Sequence, residues 1–351
     1  MADIDSGPVA WQSQANHNRM MELQRLRGSP ADPGEVEIAH FAASAFRITS
    51  PKGVTVMLDP WRNHPSRTKD WYYHDMPMTA VDIGVSTHAH FDHDGLNRVD
   101  AHVLLDRPIG RYGFLDVEIA GIADKHSIDN SAGTYDFVRV YKEIYDTDVT
   151  PPNNPRSWDN TLVVVETGGL RILHWGDNRQ DPPEHVWDML GRVDIALLPV
   201  DGSQHVMSSK SVDAIIQRLK PRVIIPHHYY IFDIVQRGAT LLPTDDWVKA
   251  RPHRIIGGPA QRYTRETIAA LKDPVTVDFF GDHVARSQGV AQTLGLISSH
   301  AALAASTRSD AFSPIMMHGA LVLPDKRCRA TTAPGHEGRF GAPRILFLYP
   351  R

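Results

Sequence analysis

Cysteine is nearly absent from this chain: one residue, Cys328, in 351. A single thiol cannot close an internal disulfide, and it excludes a zinc site built from cysteines. Long apolar runs are missing too, and none approaches the roughly 20 residues needed to span a bilayer. The opening Met-Ala-Asp-Ile-Asp-Ser has neither a basic stretch nor an apolar one. No secretory leader is expected, and the cytoplasm is the expected compartment. Neither sign of charge dominates: 37 Lys and Arg face 41 Asp and Glu, for a net charge of -4. That balance argues against a nucleic-acid partner. Hydrophobic residues are not scarce, at 42%, which supports a packed core. Histidine is plentiful, with 19 residues.

Six residues concentrate the chemistry: His88-Ala89-His90-Phe91-Asp92-His93. Buried polar groups cost free energy unless they find partners, and four adjacent ones cost more. A pair of divalent metal ions would satisfy all four. Imidazole nitrogen suits zinc, iron, manganese and nickel, and carboxylate suits the harder of these.

The surrounding pattern is that of an α/β chain. Residues 1–33 read as a polar N-terminal extension. Met20, Met21, Leu23 and Leu26 mark one amphipathic helix within it, ended by Gly28 and Pro30. Strands are expected at 35–40, 44–49, 54–59, 81–86, 101–105, 115–122, 161–166, 170–174, 194–199, 223–226 and 275–280. Thr167-Gly168-Gly169 is a hairpin signal. Helices are expected at 183–190, at 208–219 behind a serine cap, and at 264–272; Asp94 is expected to start another. Residues 133–160, rich in Tyr and Pro, read as an inserted loop over a site. Residues 284–351 hold eight Lys or Arg against three Asp or Glu and show no apolar period, so a loosely packed or disordered tail is expected.

Predicted strands deposit polar residues one after another. One runs into the 88–93 cluster, another into His126, a third into Asp177 and a fourth into His227-His228. If these ends share a sheet edge, they form one site. His88, His90 and one further histidine would serve one metal; Asp92, His93 and another histidine would serve the second; Asp177 would bridge. Two such ions roughly 3.5–4 Å apart activate water between them. His205 lies in a similar strand-end loop, Asp201-Gly202-Ser203-Gln204-His205, and is a candidate for substrate contact. His174 falls inside a strand and reads as structural. His64 and His74 sit in the aromatic loop 60–79.

The order H-x-H-x-D-H, then His, Asp and His, resembles the metallo-β-lactamase superfamily. The phrases Met57-Leu58-Asp59-Pro60-Trp61, Ser86-Thr87-His88 and Ile225-Pro226-His227-His228-Tyr229 resemble its branch with L-ascorbate-6-phosphate lactonase and N-acylphosphatidylethanolamine phospholipase D. The resemblance spans about residues 35–283 and implies a four-layer αββα sandwich of two mixed sheets for domain 34–283. It implies His88, His90 and His126 on one metal, and Asp92, His93 and His228 on the other, with Asp177 bridging. His227 is the alternative to His228, and Tyr229 matches the branch tyrosine. Asp59 matches an acidic residue that supports the ligands from behind. The chain departs from the branch at Ala42-Ala43, where Gly-His is common, and at Asn178, where Thr is common.

The resemblance implies hydrolysis of a small-molecule ester, lactone, amide or phosphodiester, with Asp92 helping to move a proton to the leaving group. Two divalent ions are expected, zinc first, with manganese, iron or nickel as alternatives. An iron-dependent redox enzyme and a non-catalytic metal-binding relative are the rival readings. A homo-oligomer is compatible with the sequence.

Overall fold

The computed structural model describes residues 19–25, 28–63, 70–127, 142–143, 146 and 159–286. The chain divides into two compact units, 1–289 and 290–351, and every described residue lies in the first. The inserted loop at 133–160, the tail and His64 fall wholly or largely outside the described residues.

Among the described residues, fourteen strands form two mixed sheets. The first has six: β1 (Val36–His40), β2 (Phe46–Thr49), β3 (Thr55–Leu58), β4 (Thr79–Ser86), β5 (Val99–Asp106) and a late strand, β13 (Ala260–Tyr263), that pairs antiparallel with β1. The second has eight: β6 (Gly110–Phe114), β7 (Val117–Lys125), β8 (Asp159–Thr167), β9 (Leu170–His174), β10 (Ile195–Pro199), β11 (Val223–His227), β12 (His253–Ile255) and β14 (Thr276–Phe279). This is the expected α/β sandwich of two mixed sheets.

The central strands read as continuous apolar runs because both their faces are covered. Val163 and Val165 of β8, Ile195 and Leu197 of β10, and Val223 and Ile225 of β11 pack with Ile38, Ile48, Val56 and Ile83 of the other sheet. The alternate residues, Leu162, Val164, Ala196, Leu198 and Ile224, face helices α2 (Glu184–Leu190) and α3 (Ser209–Leu219) through Val186, Leu190, Val212 and Ile215. Each fully buried side chain of this size contributes about 1.5–3 kcal/mol. Helix α3 starts where Ser208 accepts from Ser211 N–H at 3.1 Å and stops at Lys220 in a left-handed conformation. The β8–β9 hairpin turns on Gly168 and Gly169, both at positive φ, as a two-residue turn of this kind requires.

Helix α1 (Arg19–Arg25) is anchored by buried Leu23 and by Arg19, which donates to both carboxylate oxygens of Asp82 at 2.7 and 3.0 Å. Several boundaries differ from the sequence reading. Strand β7 begins at Val117, because Leu115 turns at φ 54°. Strands β6, β12 and β13 and the short helix α4 (Asp245–Lys249) carry no periodic apolar signal and were not expected. Helix α5 covers Arg265–Ala269 only. A short 3-10 helix, Leu96–Arg98, does follow Asp94, but its cap is Gly95; the Asp94 carboxylate pairs with Arg62 at 2.8 Å. Among the described residues no helix is long and apolar enough to cross a membrane.

Strand direction decides where the chemistry falls. β9, β10 and β11 run parallel, and β7 is two antiparallel steps from β9. All four therefore end at one edge. In the first sheet β3 and β4 are parallel neighbours and also end together.

Candidate metal centre

Three strand ends and the loop after β4 bring seven side chains together. His88, His90, Asp92 and His93 follow β4, His126 follows β7, Asp177 follows β9 and His228 follows β11. His88, His90 and His126 form one group; Asp92, His93, Asp177 and His228 form another. Within each, one candidate ligand atom per residue lies within 4.8 Å of the others. His88 Nε2 and His90 Nδ1 are 3.1 Å apart. Two nitrogens bound tetrahedrally to one zinc would be about 3.4 Å apart. Asp177 reaches both groups: Oδ2 lies 4.0 Å from His88 Nε2, 3.6 Å from His126 Nε2 and 3.7 Å from His228 Nε2, and Oδ1 lies 3.4 Å from His93 Nε2. Asp92 Oδ2 is 3.0 Å from His228 Nε2 and 3.5 Å from His93 Nε2. A superfamily profile, the beta-lactamase superfamily domain, matches residues 37–228, a span that holds all seven.

The chain belongs to the metallo-β-lactamase superfamily. It is 27% identical over 220 residues to a UPF0173 metal-dependent hydrolase of Myxococcus xanthus, covering 59% of this chain and 75% of that one. It is 29% identical over 205 residues to another from Pyrobaculum neutrophilum, covering 58% and 88%. Among solved structures it is similar to Igni18, a metallo hydrolase from Ignicoccus hospitalis, with 19% identity, a TM-score of 0.42 and coverage of 66% and 98%.

The superfamily implies a metal, and this donor set fits one. All seven side chains are at most 5% exposed. Among the described residues, His93 Nε2 and Asp177 Oδ1 are buried with no hydrogen-bond partner. Imidazole nitrogens and carboxylate oxygens in this mixture suit a divalent transition ion.

Behind these groups Asp59 acts as a hub. It accepts from Thr87 N–H and Thr87 Oγ1–H, both at 2.7 Å, from His93 Nδ1–H at 2.7 Å and from His174 Nε2–H at 2.9 Å. That fixes the proton on His93 Nδ1 and turns Nε2 toward Asp92 and Asp177. Burial disfavours a charged Asp59, but His174 and His93 outweigh it and hold its carboxyl at about 2. His174, read as structural, thus contacts the hub and not the cluster. Asp59 at φ 45° and His228 at φ 65° both adopt the left-handed region, where Asp and His are enriched among residues other than glycine. Gly176, at φ 54°, is required beside Asp177: a Cβ there would sit 2.6 Å from Thr87 Oγ1.

The side chains bias one another's charge. Burial works against a charged His228, yet Asp177, Asp201 and Asp92 push it up to about 10. Burial opposes charge on His93 too, but Asp177, Asp92 and Asp59 hold it well above the usual range. His88 and His90 are held well below it, by burial and then by neighbouring imidazoles. Asp92 and Asp177 stay well below the carboxylate range despite burial, because His93 and His228 lie against them.

The other sequence candidates separate. His227 points elsewhere, with Nδ1 3.0 Å from Ser44 Oγ. Tyr229 is buried and donates its hydroxyl to Gly281 O at 2.9 Å. His205 lies beside the cluster, its ring 4.7 Å from that of His228 and 6.0 Å from that of Trp71. His74 is on the surface. Two contributors were missed. Asp201 takes His205 Nδ1–H at 2.9 Å and lies 4.0 Å from His228 Nδ1; its signal was an Asp four residues before a loop histidine. Asn178 donates to Asp124 at 2.7 Å while pairing His126 with its own backbone, and so ties together the loops carrying His126 and Asp177.

Proposed function

We propose that this chain is a hydrolase that works with two divalent metal ions, zinc first among them. His88, His90 and His126 would hold one ion. Asp92, His93 and His228 would hold the other, with Asp177 shared. The supporting observation is one of charge. Asp59, Asp92, Asp177 and Asp201 are all at most 6% exposed, and among the described residues no Lys or Arg pairs with any of them. Buried carboxylates need paired charge or a metal, and two divalent ions would balance four of them. The metal-dependent hydrolases among the relatives support the same reading.

Ions of this kind act as Lewis acids that activate water and stabilise charge on the oxygen of the group under attack. The chain's own residues do the rest. His90, Asp92 and Asp177 retain the most exposure in the set, with His126 next, so substrate approaches from their side. Asp92 carries the proton toward the leaving group. Trp71 and Phe91, edge to face with centroids 5.3 Å apart, wall the approach. The bond under attack is that of an ester, lactone, amide or phosphodiester.

Metal analysis of protein purified without a histidine tag tests this, followed by a screen of those four bond types. About two equivalents of transition metal are expected. His88→Ala should lower turnover by about 10⁴-fold or more, as for loss of one member of an interdependent catalytic unit. No bound transition metal, or full activity in His88→Ala, would end the reading.

A further inference from the structure

His126 and Asp177 reach the cluster on segments that leave the sheet side by side. β8 lies between β7 and β9, but it begins at Asp159, opposite Lys125. From that point on, the two segments bond to each other directly. Ser127 N–H donates to Asp177 O at 2.8 Å, and Arg179 N–H donates to Lys125 O at 2.9 Å. These two bonds flank His126, which itself bridges to Asn178.

Side chains reinforce this short ladder. Asp124 and Asn160 stand opposite each other in the β7–β8 register, so they share one face of the sheet. Asn178 joins both. Its Oδ1 accepts from Asn160 Nδ2 at 3.1 Å, and its Nδ2 donates to Asp124 Oδ2 at 2.7 Å. Arg179 Nη2 donates to the other oxygen, Asp124 Oδ1, at 2.6 Å. Asn160 and Asn178 are buried. The Asp124 side chain is 2% exposed, and that of Arg179 is 33% exposed. A charge-assisted bond of this kind is stronger than a neutral one, and removing one partner leaves a buried charge uncompensated. One carboxylate thus fastens the two residues that follow Asp177.

We infer that Asp124 and Arg179 are positioning residues for the metal centre: with Asn178 they clamp the segments of His126 and Asp177 at the spacing that lets both reach one ion. His126 Nε2 stands 3.6 Å from Asp177 Oδ2. The inference rests on the metal reading above. Neither residue belongs to the ligand groups; each acts through the backbone that carries the ligands. Losing a group that supports metal ligands from behind typically costs about 10–100-fold in affinity. The charge of Arg179 separates this role from a simple field effect. By charge alone, removing a cation strengthens the binding of a divalent ion. Loss of the clamp weakens it.

Calorimetric titration of metal-depleted, full-length protein with Co²⁺ alone tests this. Arg179→Gln, at a partly exposed side chain, and Asp124→Asn, which keeps the shape, should each weaken the binding step that His126→Gln removes, by about 10–100-fold. The double variant should lie within about twofold of the weaker single, because the two residues act as one unit. Arg179→Lys keeps a cation for a contact made through one nitrogen and should restore affinity to within about threefold of wild type. Asp82→Asn breaks the Arg19 pair elsewhere in the fold. It should lower stability in urea and leave Co²⁺ affinity within about twofold. Equal or tighter Co²⁺ binding by Arg179→Gln would overturn the inference alone. So would additive losses in the double variant, no rescue by Arg179→Lys, or an Asp82→Asn that weakens Co²⁺ binding as much as the clamp variants. No Co²⁺ binding by wild type would overturn the metal reading itself, and this inference with it.

Discussion

Two sets of histidines lie equally deep in this protein. His88, His90, His93, His126 and His228 form one; His40, His174 and His227 form the other, and no member of either is more than 5% exposed. In the first set, ring nitrogens of His88, His93, His126 and His228 stand within 4.0 Å of the single carboxylate Asp177, and His90 Nδ1 is 3.1 Å from His88 Nε2. In the second set the rings share apolar contacts, with His174 and His227 5.0 Å apart, but among the described residues no carboxylate is common to them. His174 donates to Asp59, His227 contacts Ser44, and His40 stacks on Phe46 at 5.0 Å. Depth therefore does not mark a ligand. Convergence of lone pairs on shared carboxylates does, because only a cation satisfies several acceptor atoms aimed at one point.

The hardest blow to this contrast is Asp59→Ala, since Asp59 joins the two sets through His93 and His174. Its loss strands two buried imidazole N–H groups and the Thr87 N–H. Breaking a buried charged network from one side costs about 3–5 kcal/mol. Urea unfolding should show a loss of that size, with metal affinity falling in the same variant. Loss of affinity with unchanged stability would show that His174 and Thr87 do not depend on the hub.

The sequence made the first set legible and the second much less so. H-x-H-x-D-H is local, and the strands before His126, Asp177 and His228 carry clear apolar signals, so their shared edge could be anticipated. His174 was read as structural from its place inside β9, but nothing local names Asp59 as its partner, 115 residues away. Asp201 was passed over because its signal is one carboxylate in a short loop. Its importance depends on β10 and β11 being parallel neighbours, with Pro199 opposite His227. The same limit explains β13: Ala260–Tyr263 has no apolar alternation and forms a strand only because β1 offers an edge.

A smaller effect separates the sets by pH. Burial pushes His40 down to about 4, against about 6.5 when unfolded. Between those values the unfolded chain binds a proton that the folded chain refuses. Stability contributed here is full above about pH 6.5 and is lost as pH falls toward 4. At pH 5 the loss from His40 alone is roughly 2 kcal/mol. His40→Phe should flatten that part of the stability profile in denaturant titrations at pH 7 and pH 5. An unchanged slope would mean His40 is not held neutral by burial.

The smallest expected effect decides between adjacent histidines. Pro226-His227-His228 offers two candidates one residue apart; His227 ends β11, while His228, at φ 65°, turns out of the strand. His227 Nδ1 is turned to Ser44 Oγ, while His228 Nε2 is turned to Asp92 and Asp177. His227→Gln should therefore cost about 1 kcal/mol, the scale of one buried hydrogen bond, and keep the metal content of the wild type. On the two-metal proposal, His228→Gln should lose one ion. The opposite pattern would move His227 into the centre. The left-handed backbone at His228, φ 65°, would then need a different cause, because turning this imidazole toward Asp92 and Asp177 is the reason the structure gives for it.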